Sequence, residues 1–453
     1  TFNFLQAQVT GVVKDAAGEP IPGANVFWMN TTNGVTTNED GNFSIHKPAR
    51  SHMLVVSFIG FENDTIHVDK GNQQLDIVLR EGVELSEVNV VTRKLGTMKL
   101  RTSVMNEDMI SSAELTRAAC CNLGESFVTN PSVDVSYSDA ATGAKQIKLL
   151  GLSGTYVQMM TENIPNFRGA AAPYGLGYVP GPWMQSIQVS KGSSSVKNGY
   201  ESITGQINVE FKKPQLPEAD WVSANLFASS TNRYEANADA TVKLSKRWST
   251  SLLAHYENET KSHDSNDDGF VDIPRVEQYN VWNRWAYMGD HYVFQAGIKA
   301  LHETRNSGQI AHGNTPSHDL YEIGIKTNRY EAFTKNAYIF DKEKNTNLAL
   351  ILQGTLHNQD ANYGRKLYDV DQSNFYASLM FETELSKQHS LSAGLSFNYD
   401  GYDQNYRLTN QAEEGLTKKF VKESVPGAYV QYTFNLNDQL MLMGGIRGDY
   451  SSE

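Results

Sequence analysis

Ile187-Gln188-Val189-Ser190-Lys191-Gly192-Ser193-Ser194-Ser195-Val196-Lys197-Asn198-Gly199-Tyr200-Glu201-Ser202-Ile203-Thr204-Gly205-Gln206-Ile207-Asn208-Val209 is the stretch on which the fold turns. Strand-like runs at its two ends are separated by glycine, serine and asparagine, the residues that punctuate strands. Upstream lies a second run, Ile147-Lys148-Leu149-Leu150-Gly151-Leu152-Ser153-Gly154-Thr155-Tyr156-Val157-Gln158-Met159-Met160-Thr161-Glu162-Asn163-Ile164-Pro165. Between residues 98 and 214 these strands and glycines are joined by one helix. Ser111-Ser112-Ala113-Glu114 is a capping-box pattern, Leu115 and Ala119 follow at helical spacing, and Asn130-Pro131 ends the element.

Taken together the two patterns resemble the plug domain of TonB-dependent outer-membrane receptors over nearly all of residues 98–214. The second pattern is the more specific. The first departs from the family, which usually has arginine before the glycine of Leu150-Gly151 and aspartate-glycine in place of Glu162-Asn163.

From residue 219 to 453 the pattern changes to period two. Ala236, Ala238, Ala240 and Val242 alternate with Asn237, Asp239 and Thr241, and Leu391, Ala393, Leu395 and Phe397 alternate with Ser392 and Ser396. One apolar and one polar face suits strands between lipid and a wet lumen, and a soluble sandwich shares that signature. Long strands, and tryptophans near strand ends at Trp221, Trp248, Trp282 and Trp285, suit an aromatic girdle. Behind a plug, the expectation is part of a large antiparallel transmembrane β-barrel.

Residues 8–82 read as short strands set off by Gly18-Glu19-Pro20, Asn38-Glu39-Asp40-Gly41 and Gly60, which predicts a small β-sandwich. The runs Gly18–Val26, Thr37–Ile45 and Val55–Phe61 resemble the carboxypeptidase-regulatory-like, prealbumin-type domain that precedes many outer-membrane receptors of Bacteroidetes. No zinc-ligand motif accompanies them, so a peptidase reading fails. The expected fold class is therefore mostly β: a prealbumin-like sandwich, an α+β plug and part of a barrel.

Residues 83–97 form an extended segment. Alternation at Val88, Val90 and Thr92 fits either an ordinary linker strand or a strand added to a partner's sheet edge. The resemblance to plug-bearing receptors implies that Glu87, Val88, Asn89, Val90, Val91 and Thr92 are the TonB-interacting segment. It also implies energy from the inner-membrane complex behind TonB.

Composition adds exclusions. The chain has 453 residues, 40% hydrophobic and 20% charged, with a formal net charge of -12. That balance argues against nucleic acid as a partner. Mean hydropathy is -0.46, and no stretch approaches the ~20 apolar residues of a membrane helix. No dinucleotide, P-loop or triad pattern marks an enzyme. The chain opens Thr1-Phe2-Asn3-Phe4-Leu5-Gln6-Ala7, read as the end of a secretory leader or as foreign residues. The part after the plug, at ~22 residues per strand and connection, predicts roughly eleven strands against the twenty-two of outer-membrane transporters. The sequence thus reads as the N-terminal part of a chain of roughly 650–750 residues.

Two constellations point to metals. Cys120 and Cys121 are the only cysteines; they read as a buried structural pair or, with Met159 and Met160, as ligands for a soft metal. Asp264, Asn266, Asp268 and Asp272 occupy oxygen-ligand positions of a calcium loop with Gly269 at the turn. Arg275 stands where an EF-hand has its bidentate glutamate, so the match is incomplete. A structural Ca²⁺ is the one cofactor expectation. The resemblance implies an importer of a scarce metal species (ferric siderophore, haem, cobalamin or copper), with outer-membrane lipid around it. Glycan import of the starch-utilisation type, with a surface lipoprotein partner, is the rival. A soluble β-rich adhesin is the alternative from another class.

Overall fold

The computed structural model describes residues 8–79 and 97–452, except 16–17, 30–33, 49–51, 59–60, 62–63, 69–73, 100–106, 118–120, 128–129, 131–132, 153, 193–194, 215–220, 311–319, 410–414 and 437–439. It divides into two compact units, Thr1–Arg93 and Lys94–Glu453.

The first unit is a sandwich of seven strands: β1 (Gln8–Lys14), β2 (Asn25–Trp28), β3 (Gly34–Thr36), β4 (Asn42–His46), β5 (Met53–Ser57), β6 (Asp64–His67) and β7 (Gln74–Val78). One sheet is ordered β4-β1-β7 and the other β3-β2-β5-β6. Alternate residues, among them Val9, Val26, Trp28, Phe43, Ile45, Leu54 and Ile77, close the core. Asn38 builds the β-turn before β4: its Oδ1 accepts from the N–H groups of Asp40 and Asn42. Gly41 is required there, at φ 73° and with Val13 O only 2.6 Å from where a Cβ would stand.

The second unit opens with β8 (Thr97–Lys99), β9 (Glu107–Ser111), helix α1 (Ser112–Arg117), β10 (Asp134–Asp139), β11 (Ala144–Lys148), β12 (Val157–Thr161), β13 (Ile164–Pro165), β14 (Met184–Lys191) and β15 (Gly205–Phe211). Six of these strands form a sheet ordered β13-β12-β15-β14-β9-β8, and β10 pairs with β11. The two strand-like ends of the Ile187–Val209 stretch are thus neighbours, in antiparallel register from Ile187↔Val209 to Lys191↔Gly205. Strand β15 lies between β12 and β14 and is buried along its whole length, with Ile207, Val209 and Phe211 in the plug core. The capping-box residues open helix α1, of which six residues are described, with Leu115 buried in the plug core; Ala119 lies outside the described residues.

Eleven strands follow in a sequential antiparallel sheet: β16 (Val222–Ala228), β17 (Arg233–Lys243), β18 (Trp248–Glu259), β19 (Arg275–Met288), β20 (Tyr292–Gly308), β21 (Glu322–Asp341), β22 (Thr346–Tyr363), β23 (Lys366–Ser386), β24 (His389–Arg407), β25 (Thr417–Leu436) and β26 (Leu440–Asp449). Their outward face carries exposed Leu226, Leu252, Ile298, Leu395 and Val430, while the inward face buries Asn280, Arg284, Lys299, Glu303 and Arg329. Connections at one end of the sheet are two to four residues long, and those at the other reach 15, at residues 260–274. Strands of 18 to 21 residues in β21–β25, rising ~3.3 Å per residue and tilted ~45°, outreach a hydrocarbon core of ~30 Å. Trp248 and Trp285 face outward as a girdle would, but Trp282 does not: three positions from Trp285, it has the opposite strand parity and is buried against the plug.

Candidate functional site

The contact between plug and wall begins at a two-residue hairpin. Glu162 (φ 50°) and Asn163 (φ 62°) both occupy the left-handed region between β12 and β13, as a type I′ turn demands. A glycine would sit there without strain; here the side chain of Glu162 is put to use. Its carboxylate lies 2.6 Å from Arg284 Nη2 of β19, with both side chains almost wholly buried. Lys335 of β21 donates to the Glu162 carbonyl at 2.7 Å, and Arg284 Nη1 donates to Lys212 O.

The following residues continue the pattern. Asn166 accepts from Arg329 Nη2 at 2.5 Å and donates to Glu331 at 2.9 Å, both on β21. Arg168 is shared between Glu201 of the plug (2.6 Å) and Asp400 of β24 (3.0 Å). Burial works against the guanidinium charge, but these two carboxylates reverse it and raise the Arg168 pKa. Burial also dominates at Glu201 and raises its carboxyl, since one arginine serves two acids. Farther along, Ser195 donates to Gln431 and Lys197 to Glu382, each across the same gap. Apolar packing crosses the same gap, with the Trp183 ring 6.3 Å from Trp282 and Phe211 edge-on to it at 4.6 Å.

On the side of the sheet with the long connections, tyrosines gather on the inward face. Tyr368 and Tyr406 are directly opposite in register with rings 6.5 Å apart. Tyr363 meets Tyr174 of the plug, OH to OH at 3.4 Å. Tyr402 packs so closely on Gly169 that a Cβ there would stand 2.3 Å from its hydroxyl.

Comparison with known proteins bears directly on this arrangement. A family model of the TonB-dependent Receptor Plug Domain matches residues 99–206, and one of the CarboxypepD_reg-like domain matches residues 9–91. TonB-dependent receptor SusC of Bacteroides thetaiotaomicron is 27% identical over 245 residues, which is 51% of this chain and 24% of that protein. Residues 99–206 are thus the plug domain of a TonB-dependent receptor. Among solved structures, the ferripyoverdine receptor of Pseudomonas aeruginosa shares the fold with a TM-score of 0.63 at 14% identity, covering 83% of this chain and 57% of that one. The copper transporter OprC shares it with a TM-score of 0.62 at 13% identity, covering 76% and 54%. The receptor is an outer-membrane β-barrel protein and not an enzyme, which sets aside the soluble adhesin.

The sequence-derived site residues fall in different places in the receptor. Glu87, Val88, Asn89, Val90, Val91 and Thr92 lie outside the described residues, as does Cys120. Cys121 is buried, with its N–H 3.2 Å from Glu125, whose carboxylate meets Arg233 at 3.0 Å. Burial pushes its thiol pKa far up, so it rests as a neutral thiol. Met160 is buried in β12 beside Pro165, and Met159 packs on the plug core. In the 264–272 loop, Asp264 accepts from the N–H groups of Asp268 and Gly269, and Asp272 from that of Ser265. Among the described residues, no group of three or more His, Cys, Asp or Glu side chains is placed to hold a metal ion. What sequence reading missed is the set of wall partners, Arg284, Arg329, Lys335 and Asp400. Their only signal is a charged residue at an inward position of an otherwise lumen-polar strand.

Proposed function

We propose that the receptor imports a scarce metal species (a ferric siderophore, haem, cobalamin or copper) across the outer membrane, driven by TonB pairing with residues 87–92. The observation that carries an energised importer is the plug–wall contact. Beside its apolar patch around Trp282, it carries buried ion pairs such as Glu162–Arg284 and Arg168–Asp400. Buried charges regain hydration when separated into water, so such an interface costs far less to part than an apolar one of equal size. A plug meant to be displaced and reseated needs that property. Main-chain pairing at 87–92 would transmit the pull with little demand on side chains.

For the cargo, support comes from Leu150 and Glu162-Asn163, where glycan importers of the starch-utilisation type usually keep arginine and aspartate-glycine. The ferripyoverdine receptor and the copper transporter share the fold. The match to SusC favours the second reading, a glycan importer working with a surface lipoprotein. Uptake of labelled iron chelates, haem, cobalamin, copper and oligosaccharides by cells with and without the receptor separates the two. Accumulation of oligosaccharide alone would sink the metal reading. Val90→Pro, which removes a pairing N–H, should abolish uptake and spare cargo binding.

A further inference from the structure

A column of cations stands on the inward face of three adjacent wall strands, where the plug covers them. Arg284 belongs to β19, Lys299 and Arg305 to β20, and Arg329 and Lys335 to β21. Strand register lines them up. Lys335 faces Gln295 of β20, Arg284 faces Gly297 and Arg329 faces Leu301, so the cations fall at β20 positions 295, 297, 299, 301 and 305. Alternate positions on a strand are ~7 Å apart, and the column follows most of β20, from its short-turn end to its long-connection end. Among the described residues, the only carboxylates on this face between the column's ends are Glu331 and Glu303. The inward face of β17 and β18 has the opposite balance, with Glu235, Glu257 and Glu259 buried beside Arg233.

The plug meets this column with oxygen atoms. Arg284 is 2.6 Å from the Glu162 carboxylate and donates to Lys212 O at 2.7 Å. Lys335 donates to Glu162 O at 2.7 Å and Lys299 to Tyr178 O at 3.3 Å. Arg329 donates to Asn166 Oδ1 at 2.5 Å and Arg305 to Thr142 O at 3.0 Å. Of these plug oxygens, only the Glu162 carboxylate carries a full charge; the rest belong to neutral amides. Glu162, Glu331 and Glu303 therefore leave the column with an excess of positive charge. A seat that only holds the plug has no use for that excess, because a buried charge without a counter-charge costs free energy that a neutral side chain of equal volume does not.

We propose that this column is the path of the cargo, and that the cargo is a metal chelate of net negative charge. In the resting receptor the plug's oxygens stand in for those of the chelate. Displacing the plug removes them and leaves the cations facing the vacated space. A surface lined by one sign of charge concentrates the opposite ion, so the column attracts an anionic chelate and repels a bare metal cation. Successive sites ~7 Å apart also let the anion pass from one cation to the next without being held at any of them. The role rests on the importer reading of the receptor and narrows its metal species to anionic chelates.

The test is the ion selectivity of the full-length receptor in planar bilayers under a KCl gradient, without TonB and with urea added to displace the plug. The opened receptor prefers chloride to potassium, read from the sign of the reversal potential. Arg284→Gln combined with Lys299→Gln lowers that preference by about twofold or more, as loss of lining cations does. Because urea displaces the plug in every variant, looser seating does not enter the reading. Lys326→Gln is the control: Lys326 is exposed at an outward position of β21, and its loss leaves the preference unchanged. Ferric citrate, an anionic chelate, blocks the chloride current, and the cation hexaamminecobalt(III) does not. The proposal is overturned if the opened receptor prefers potassium or neither ion, if Lys326→Gln shifts the preference as much as the double substitution, or if the two probes block alike. It is also overturned if no current opens, since a column that stays covered guides nothing. Failure of uptake sinks the importer reading and leaves the selectivity standing, whereas loss of selectivity with uptake intact sinks only the column.

Discussion

Glu162 shows how a departure from a family pattern acquires a physical reason. A left-handed backbone costs an L-residue roughly 1–2 kcal/mol, which glycine avoids. The carboxylate that glycine lacks is what Arg284 and Lys335 hold. Removing one member of a buried pair strands the other, so Glu162→Ala should destabilise the seated plug by ~3–5 kcal/mol, read in urea melts of the receptor. A loss below ~1 kcal/mol would mean that the pair is solvated. The sequence marked 162–163 as unusual but could not say why, because the partners lie 122 and 173 positions away. Glu125 carries a pH prediction. Burial raises its carboxyl, but Arg233, Lys145 and the Cys121 N–H outweigh this and leave its pKa below the ordinary value. A depressed carboxylate stabilises the fold above the unfolded pKa of ~4.3 and loses that contribution as pH falls through the folded value. Glu125→Gln should lower stability near neutral pH and flatten its decline on acidification. Melts with the native pH slope would refute the assignment.

Strand faces are where sequence and structure agree best. On β20, Ile298 is exposed and Lys299 is buried, one residue apart, as the period-two pattern requires. The outward positions meet hydrocarbon in mid-strand and the interface near the ends. Ile298→Arg should therefore cost ~2–4 kcal/mol in folding into lipid vesicles, and Asn306→Arg, on the same face near the long-loop end, no more than ~1 kcal/mol. Equal costs at the two positions would place the lipid boundary wrongly. Trp282 breaks the girdle pattern. In the sequence, its nearness to a strand end suits the girdle alongside Trp285, and only strand parity, which requires the register, turns it inward against Phe211.

At the scale of the whole molecule, the two units differ in where their cores come from. Every residue of the sandwich core lies between Val9 and Leu79. The plug core does not close on itself: Leu253, Trp282, Leu301, Ile323 and Ile325 of the wall belong to it. Alternation and turn chemistry reveal the sandwich because its pairings are local. Which plug residues need the wall is invisible to them, since that depends on strands far down the chain. Residues 1–93 alone should fold, with a single cooperative melt and dispersed amide resonances. Residues 98–214 alone should not, because truncation exposes the apolar surface that the wall covers, at ~25 cal/mol per Å². Trp183, the only tryptophan in that fragment and fully buried in the receptor, reports the difference. Its emission should be that of a solvated indole in the isolated plug and that of a buried one when residues 219–453 are present. A buried-type emission with a cooperative melt in the isolated fragment would show that the plug is complete without its barrel. The wall would then guide its seating and contribute nothing to its fold.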